Sequence, residues 1–539
     1  MLCHRRAVVL YCTILLLFWL LCLRLYVLSK GQHTAMTVLD GQYSSRLDIA
    51  QRSGFVYDRY LQLLSHDEYT GILVVNPAQC KDYRRFSQEI SQAALFLSQS
   101  EIEEKLYEGV PFKVTANSKE KGEKLTKKLD GVYYCSTYTE NTVTAPHLLG
   151  YSRENRGVTG MRLAYNELLY GKLYAKNTAT FSGNALKMSM SPLSIDDTSY
   201  NSRDGIVTTI DKDLQLFCNS LEDSVQSGAV IVAEADSGEI LALSSFPSYD
   251  ASRLEDYLSS DKGELINKAA SSYTPGSVFK IIVSAAALEL SPSFATFTHN
   301  CKGSIQVDDN VFRCHKASGH GELDMKEAFA NSCNCYYVAL AKQIGADSIE
   351  RICRKIGLYE SAKADFLTEA KCNFPSFDNR DSGYLANISF GQGDLLLSPM
   401  DMINVTSCAI EGYRVPLSLI EGQIEDGCGR YNPPKEKYRV FSDKTVQLLV
   451  NMMEECVNNG TGMSAKIEGA QTGGKTATAQ TGRKDGNGVE YVHKWFCGFY
   501  RGVEKTYVFC ILCDNTLENN LSPSVVSAHI CRYLKENMY

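Results

Sequence analysis

A long, uncharged and strongly apolar run lies close to the start of the chain and sets where its folded part begins. Residues 7–23 read AVVLYCTILLLFWLLCL, and apolar residues continue beyond Arg24 as far as Leu28. A helix of about 22 residues has enough rise to cross a hydrocarbon core of about 30 Å. The run therefore predicts a transmembrane helix over residues 7–28, with a short tail at 1–6 before it.

The charges beside this run predict its orientation in the membrane. Arg5 and Arg6 precede it, and basic residues next to a membrane helix favour the cytoplasmic side. We therefore expect a cytoplasmic tail and a single-pass protein whose residues 29–539 lie outside the cytoplasm. A cleaved signal peptide would share the basic start, but the run is long and Leu-Ser-Lys at 28–30 offers no small-x-small cleavage site.

The composition is that of an ordinary globular chain. Of the 539 residues, 44% are hydrophobic and 22% are charged, which excludes a mainly disordered chain, a collagen-like repeat or a coiled coil. Acidic residues outnumber basic ones, 62 against 55, whereas a broad surface for nucleic acid needs a basic footprint. We therefore expect no nucleic-acid partner.

A polar stretch divides the part of the chain that follows the apolar run. Residues 177–205 are rich in Ser, Asn, Thr and Gly and contain few large apolar side chains, which is typical of a linker or a surface loop. The sequence therefore predicts an N-terminal domain over 29–205 and a second domain over 206–539.

The second domain begins and ends with strand patterns, each of which predicts a β-hairpin. Helical patterns lie between the hairpins and after the last one. Strands at both ends with helices between them predict an α+β fold. The predicted strands are 229–234, 239–244, 494–500 and 506–513, and the predicted helices are 281–288 and 522–536.

An S-x-x-K tetrad precedes the first of these helices. Residues i and i+3 of a helix share a face, so the Lys280 amine can reach the Ser277 hydroxyl. The same spacing occurs at Ser118–Lys121 and Ser259–Lys262, but only Ser277 follows a Pro-Gly break and opens an apolar helix. There the first-turn N–H groups stabilise a developing negative charge. Ser277 is therefore a candidate nucleophile, and Lys280 is its candidate base once burial or a nearby cation lowers its pKa.

Two further polar elements follow in the order that such a site needs. Ser332-Cys333-Asn334 offers a hydroxyl that can relay a proton and an amide that can bind the lysine or a substrate carbonyl. Residues 474–479 (GKTATA) offer hydroxyls and the cation of Lys475, which could hold a substrate carboxylate. Because S-x-N also occurs elsewhere in the chain, the conjunction of the three elements in one domain is what predicts an active site.

The 19 cysteines are spread without the dense spacing of a disulfide framework. We therefore expect most of them to be free, buried thiols. One string, Cys301, Cys314, His315 and His320, has the spacing C-x12-C-H-x4-H and could suggest zinc. Because it lacks the pair of close cysteines with which structural zinc sites usually begin, we expect no metal.

The three elements resemble the S-x-x-K, S-x-N and K-T-G motifs of penicillin-binding proteins and serine β-lactamases. The similarity extends over the second domain to class B penicillin-binding proteins, and upstream to the pedestal module of that class. The phrases that carry it are 209–211 (TID), 242–250 (ALSSFPSYD), 274–280 (TPGSVFK), 319–321 (GHG), 331–334 (NSCN), 391–393 (GQG) and 495–499 (WFCGF), with 52–59 (RSGFVYDR), 147–151 (HLLGY) and 157–160 (GVTG) upstream.

The resemblance implies the penicillin-binding transpeptidase fold, an antiparallel sheet flanked by helices, with an N-terminal pedestal domain on a bacterial cell membrane. It implies a serine-type D,D-transpeptidase that cross-links peptidoglycan stem peptides ending in D-Ala-D-Ala and that β-lactams acylate. It implies no cofactor. It also implies a partner in the membrane, a polytopic glycosyltransferase of the shape, elongation, division and sporulation type.

The same resemblance assigns roles to individual residues. A serine attacks the substrate, a lysine is its base, a second serine passes a proton to the departing D-Ala, and an asparagine orients the lysine. Two backbone N–H groups form an oxyanion hole, and one strand holds the terminal carboxylate. The catalytic residues are Ser277, Lys280, Ser332 and Asn334; the oxyanion hole is made by Ser277 and Thr478; the carboxylate contacts are Lys475, Thr476 and Thr478.

The chain departs from the family pattern at two positions, and the first, Ser53 in Arg52-Ser-Gly where Arg-Gly is usual, affects only the local loop geometry. The third motif reads Lys-Thr-Ala where Lys-Thr-Gly is usual, so the methyl of Ala477 predicts a narrower site.

A β-lactamase is disfavoured because the chain has no Glu-x-x-Leu-Asn phrase for a deacylating glutamate. A non-catalytic scaffold that activates a membrane glycosyltransferase is disfavoured because the polar residues of all three motifs are intact.

Overall fold

The computed structural model describes most of the chain, and two predicted segments lie partly outside it. One of these segments is the apolar run, of which residues 7–10, 12 and 27–28 are not described. The other is the predicted linker at 177–205, of which only some residues are described. Residues 13–26 are helical. Across the described ranges, no helix combines the length and the apolar character needed to cross a membrane. Those ranges are 11, 13–26, 44–171, 175–182, 194–196, 200, 202–368, 381–517 and 522–537.

The chain divides into two compact units, and the backbone enters each of them more than once. Unit 1 comprises residues 1–53, 67–139 and 174–202, and unit 2 comprises residues 54–66, 140–173 and 203–539. Two segments upstream of the predicted linker therefore pack within unit 2. One reason is strand pairing over a long distance in sequence, since Phe55–Tyr57 pairs in parallel with Gly205–Thr208. The division into compact units does not test the predicted border between the pedestal domain and the transpeptidase domain, so the border at residues 205 and 206 stays a prediction.

Unit 1 contains short strands and polar-faced helices. Its helices begin at side-chain caps, of which Ser98 with Glu101 forms a capping box. Its apolar side chains, such as Leu73, Ile90 and Leu106, are fully buried in one cluster. The described strands form one sheet in the order Phe112–Thr115, His66–Val75, Val132–Glu140 and another in the order Ser44–Arg52, Ala175–Ser182, Ser194–Asp196; the helices are Tyr83–Ala93, Gln99–Glu108 and Lys119–Lys128.

The main sheet of unit 2 joins both predicted hairpins into one antiparallel layer. Each hairpin is confirmed, because Gly228–Glu234 pairs with Ile240–Phe246 and Glu490–Arg501 pairs with Thr506–Leu517. The first strand of the first hairpin also pairs with the last strand of the second. In strand order, the described sheet is Ile240–Phe246, Gly228–Glu234, Thr506–Leu517, Glu490–Arg501 and Gln471–Lys484. The strand Gln471–Lys484 therefore lies at one edge, and we call it the edge strand.

Smaller sheets and many helices complete unit 2. A second sheet has the order Phe55–Tyr57, Gly205–Thr208, Ile420–Glu425, Cys428–Tyr431. Paired short strands are Ser152–Arg153 with Arg156–Gly157, His299–Cys301 with Gly321–Leu323, Ser304–Val307 with Asn310–Arg313, Lys363–Ala364 with Leu367–Thr368, and Tyr413–Arg414 with Tyr438–Arg439. The α-helices are Pro146–Leu149, Gly160–Ala164, Lys212–Asn219, Glu222–Val225, Leu254–Leu258, Lys280–Leu290, Met325–Ala330, Asn334–Ile344, Ala346–Ile356, Ser382–Ser389, Pro399–Glu411, Asp443–Asn459 and Pro523–Asn537.

The helix Lys280–Leu290 lies in the middle of the largest apolar cluster. Its residues from Lys280 to Leu288 are all buried, which explains why its sequence is apolar on every side. A 3-10 turn, Gly276–Phe279, leads directly into it. The fold therefore carries the S-x-x-K tetrad at the point where a turn enters the core, with the serine in the turn and the lysine in the helix.

Candidate active site

Ser277 lies in the 3-10 turn and is half-buried. Residues three apart are eclipsed in such a turn, so Ser277 and Lys280 lie on the same side of it. Gly276 has φ +57°, and a Cβ at that position would lie 3.1 Å from the Ala479 Cβ of the edge strand. The Gly276 N–H also donates to the Gly391 carbonyl, at 2.9 Å. The turn is therefore fixed between the edge strand and the loop at Gly391.

Lys280 is fully buried, and the S-x-N motif surrounds its amine. Its Nζ donates to the Ser332 carbonyl at 2.7 Å and to Asn334 Oδ1 at 2.8 Å. The Ser332 Oγ accepts a third, longer bond at 3.2 Å. The structure thus brings the first two predicted motifs together at one nitrogen atom, although they are separated by about fifty residues of sequence.

The surroundings of Lys280 disfavour its charged form. Burial lowers the pKa of Lys280 well below its ordinary value, and the positive charge of Lys475 lowers it further. A neutral lysine amine has a free lone pair and can accept a proton from a hydroxyl, which an ammonium cannot do. The structure therefore places a buried amine that can act as a base on the same side of the turn as Ser277.

The loop that holds Ser332 has an unusual backbone. Ser332 has φ +53°, in the left-handed region that non-glycine residues rarely adopt. Backbone bonds fix this conformation, since the Ser332 N–H donates to the Phe329 carbonyl at 3.1 Å and the Cys333 N–H donates to the Ala328 carbonyl at 2.9 Å. The loop thereby presents both the carbonyl and the hydroxyl of Ser332 to Lys280.

The third motif lies on the edge strand. Lys475 is fully buried, and its Nζ donates to the Thr476 carbonyl at 2.9 Å and lies 5.6 Å from the centroid of the Phe329 ring. Burial lowers the pKa of Lys475. Thr478 is exposed, whereas Thr476 is half-buried and its hydroxyl lies 2.6 Å from that of Thr461. The edge strand therefore combines the buried amine of Lys475 with two threonines, of which only Thr478 is exposed.

Sequence reasoning missed some residues that complete this arrangement. Thr461 contacts Thr476 and also donates through its N–H to the Ala330 carbonyl at 3.0 Å, but nothing in its local sequence marks it. Trp495 pairs with Ala477 across the sheet, and its Nε1 donates to the Thr274 carbonyl at 3.0 Å, just before the serine turn. The family-like phrase WFCGF was the one signal for it.

The sequence of this chain is similar to those of known penicillin-binding proteins. The family model of the penicillin binding protein transpeptidase domain matches residues 228–533. Stage V sporulation protein D of Bacillus subtilis is 28% identical over 502 residues, which cover 88% of this chain and 76% of that protein. The penicillin-binding protein PbpB of Mycobacterium tuberculosis is 29% identical over 336 residues, 58% of this chain and 49% of that protein.

Solved structures show the same fold. Penicillin-binding protein PBP2 from Helicobacter pylori aligns with a TM-score of 0.68 at 21% identity, covering 92% of this chain and 100% of that one. Penicillin binding protein 3 from Mycobacterium tuberculosis aligns with a TM-score of 0.64 at 20% identity, covering 91% and 96%. The predicted transpeptidase fold and enzyme class are thereby confirmed, and the chain belongs to the family of penicillin-binding protein transpeptidase domains.

Proposed function

We propose that this chain is a peptidoglycan D,D-transpeptidase that cross-links stem peptides ending in D-Ala-D-Ala and that β-lactams acylate. The observation that carries the proposal is the buried amine of Lys280, held by Ser332 and Asn334 on the same side of the turn as Ser277. A buried lysine of lowered pKa is the base that a serine nucleophile needs.

In the first half-reaction, the neutral Lys280 amine accepts the Ser277 hydroxyl proton as Oγ attacks the penultimate D-Ala carbonyl carbon. The tetrahedral intermediate then collapses, the bond from that carbon to the terminal D-Ala nitrogen breaks, and an ester to Ser277 forms. Ser332 passes a proton from Lys280 to the departing amine. The 3.2 Å bond between Lys280 Nζ and Ser332 Oγ supports this relay.

In the second half-reaction, an amine from a neighbouring stem peptide attacks the ester. The amine loses a proton through the same relay, the bond to Ser277 Oγ breaks, and Ser277 regains its hydroxyl proton. Asn334 keeps Lys280 in place through both steps, which its 2.8 Å contact with Nζ supports. The product is a peptide cross-link and a regenerated enzyme.

We assign charge stabilisation to the turn and the edge strand. The backbone N–H groups of Ser277 and Thr478 would hold the oxyanion of the tetrahedral intermediate. Because the edge strand pairs on one side only within the described sheet, alternate N–H groups along its other side can meet a substrate. Lys475, Thr476 and Thr478 would bind the terminal carboxylate of the stem peptide.

We also propose the cellular setting implied by the sequence. The run at 7–28 would cross the bacterial cell membrane once, residues 29–205 would form a pedestal, and the transpeptidase domain at 206–539 would lie outside the cytoplasm. A polytopic glycosyltransferase of the shape, elongation, division and sporulation type would supply the glycan strands in the same membrane. The positive residues before the run support this orientation.

Labelling with a fluorescent penicillin tests the proposed activity. The full chain should form a covalent adduct, Ser277→Ala should form none, and Lys280→Ala should react about a hundred-fold to ten-thousand-fold more slowly. Ser259→Ala is the matched control, because Ser259 opens another S-x-x-K tetrad outside the site. An adduct that persists in Ser277→Ala would overturn the assignment, and its absence from the wild-type chain would favour a scaffold.

A further inference from the structure

Three cysteines and a histidine converge next to the S-x-N loop. The ligand atoms of Cys301, Cys314, His320 and Cys333 all lie within 4.8 Å of one another. Cys314 Sγ is 3.5 Å from His320 Nδ1 and 3.9 Å from Cys333 Sγ. The three thiols are buried and His320 is half-buried. The penicillin-binding mechanism uses none of these four side chains.

The distances from Cys314 Sγ to His320 Nδ1 and to Cys333 Sγ match the edges of a tetrahedral zinc site. With Zn–S of about 2.3 Å and Zn–N of about 2.0–2.1 Å, a tetrahedron places two sulfurs about 3.8 Å apart and a sulfur and a nitrogen about 3.5 Å apart. A disulfide would instead bring the sulfurs to about 2.05 Å. All four cysteines of this neighbourhood, the fourth being Cys335, are free. The spacing therefore fits four ligands around one small ion better than a covalent bridge.

The backbone holds three of the ligands in place without help from the side chains. The His320 N–H donates to the Cys301 carbonyl at 3.0 Å, and the Cys314 N–H donates to the Gly303 carbonyl at 2.9 Å. Gly319 has φ +78°, and a Cβ there would lie 2.2 Å from the Cys301 oxygen. The segment before His320 can therefore approach Cys301 only because a glycine precedes the histidine.

We propose that Cys301, Cys314, His320 and Cys333 bind one Zn²⁺ ion. Three thiolates and one imidazole form a closed ligand set, which is typical of structural rather than catalytic zinc. Soft sulfur ligands in a tetrahedral arrangement favour zinc over magnesium, calcium or manganese. The ion would stabilise the fold around the loop instead of reacting with substrate.

One residue of the cluster is not apparent from the sequence, in which Cys301, Cys314, His315 and His320 form a candidate string without a pair of close cysteines. His315 is exposed and is not one of the residues whose ligand atoms all lie within 4.8 Å of one another, so it stays outside the cluster. Cys333, which lies 19 residues beyond Cys314 in sequence, completes the set instead. Only the tertiary fold brings it there.

The position of Cys333 connects the ion to the active site. It lies between Ser332 and Asn334, the two residues that bind Lys280. A metal bond to Cys333 would fix the loop in which Ser332 adopts φ +53°, so Cys333 would be a positioning residue. This second part of the inference rests on the proposed function, whereas metal binding itself does not.

Metal analysis of the full chain tests the proposal. The protein would be purified in detergent with a reductant and without a polyhistidine tag, and its zinc measured by plasma mass spectrometry. We expect about one zinc per chain, retained in His315→Gln and reduced at least tenfold in His320→Gln. Cys314→Ser should lose the metal, whereas Cys408→Ser, which also changes a buried thiol, should keep it. Equal zinc in all four variants, or none in the wild type, would overturn the site.

Cobalt provides a readout that does not depend on any variant folding. Wild-type chain stripped with a chelator and loaded with Co²⁺ should show the intense visible bands of tetrahedral cobalt and a thiolate charge-transfer band. Weak octahedral bands would contradict the ligand set. A Cys314–Cys333 disulfide that peptide mass spectrometry detects in protein purified with the reductant would also contradict the ligand set.

Acylation separates the two parts of the inference. Removing zinc should slow the labelling of Ser277 by fluorescent penicillin at least tenfold at a temperature where the chain stays folded, and adding Zn²⁺ should restore it. Unchanged labelling of zinc-free protein would overturn the positioning role. If the holoprotein is never labelled, the proposed function fails, and the zinc content still decides whether the metal site exists.

Discussion

At the scale of single residues, Lys280 shows how burial determines chemistry. An ammonium that loses its hydration is stabilised only in part by hydrogen bonds. Three acceptors surround Nζ, and none of them is a carboxylate. The neutral amine is therefore favoured, in agreement with a pKa well below the ordinary value. The same surroundings that destabilise the charged lysine make it available as a base.

The pH dependence of acylation should report this pKa. Below the pKa Lys280 is protonated and cannot accept the Ser277 proton, so the second-order rate of acylation by benzylpenicillin should rise with pH and level off. The midpoint should lie well below 10.5. Lys475→Met removes a neighbouring positive charge and should move the midpoint to higher pH while weakening acylation. Stopped-flow kinetics measures both.

The control for that experiment is Lys262→Met, an exposed lysine in another S-x-x-K tetrad. Its pH profile should match that of the wild-type chain. A wild-type midpoint near that of ordinary lysine, or a profile that Lys475→Met leaves in place, would contradict the role assigned to burial and to the neighbouring charge.

Ala477 gives a second prediction at this scale. Its methyl is buried, and a Cβ on Gly276 would lie 3.5 Å from it, so the methyl helps to set the gap between the edge strand and the serine turn. We predict that Ala477→Gly accelerates acylation by a bulky cephalosporin several-fold relative to benzylpenicillin. Ala242→Gly removes a fully buried methyl from the strand at the opposite edge of the same sheet and should leave that ratio unchanged. Both variants should lose about 1 kcal/mol of stability. Equal ratios in the two variants would refute the idea.

At the scale of elements, the serine turn depends on a close approach between two backbones. A Cβ at Gly391 would lie 1.9 Å from the Gly276 carbonyl oxygen, and Gly391 has φ +75°. Gly393 has φ +87°, but the nearest atom to its Cβ would be 3.8 Å away. Both glycines therefore have the left-handed backbone that disfavours other residues. Of the two, only Gly391 is in close contact with the turn that bears Ser277.

Alanine substitution should separate these two effects. Gly393→Ala should cost about 1–2 kcal/mol through left-handed strain alone. Gly391→Ala adds a clash that must displace the turn, so it should cost about 3 kcal/mol or more and slow the acylation of Ser277 at least tenfold. Denaturant unfolding and fluorescent-penicillin kinetics measure the two quantities. Similar acylation rates in the two variants would show that the contact does not position Ser277.

Much of this element structure is visible in the sequence because it is local. Two short apolar runs separated by the turn residues Asp236, Ser237 and Gly238 predict the hairpin that Gly228–Glu234 begins, and the apolar run after Ser277 predicts its helix. The pairing of Gly228–Glu234 with Thr506–Leu517 cannot be derived in this way, since it joins segments nearly three hundred residues apart. Cys333 as the fourth ligand and Thr461 were missed for the same reason, because tertiary packing alone brings Cys333 to the other three ligands and Thr461 to the edge strand.

At the scale of the whole molecule, the candidate active site lies within one of the two units. Unit 2 holds every residue of the candidate site and of the zinc cluster, whereas unit 1 contains the first residues of the chain. Residues 13–26 are helical, and their apolar side chains, such as Leu17, Phe18 and Trp19, are each about three-fifths exposed. Apolar side chains exposed in this way fit the membrane helix proposed for residues 7–28.

Fractionation should therefore separate anchoring from catalysis. We predict that the full chain sediments with bacterial membranes, resists extraction by high salt and dissolves in detergent, because its attachment is hydrophobic and not electrostatic. A chain that starts at residue 29 and is exported by a cleavable signal should leave the membrane fraction and still bind fluorescent penicillin through Ser277, since unit 2 contains the whole site. A full chain that high salt releases would contradict the anchor proposed at 7–28. Loss of penicillin binding in the folded truncated chain would show that the apolar run also shapes the active site.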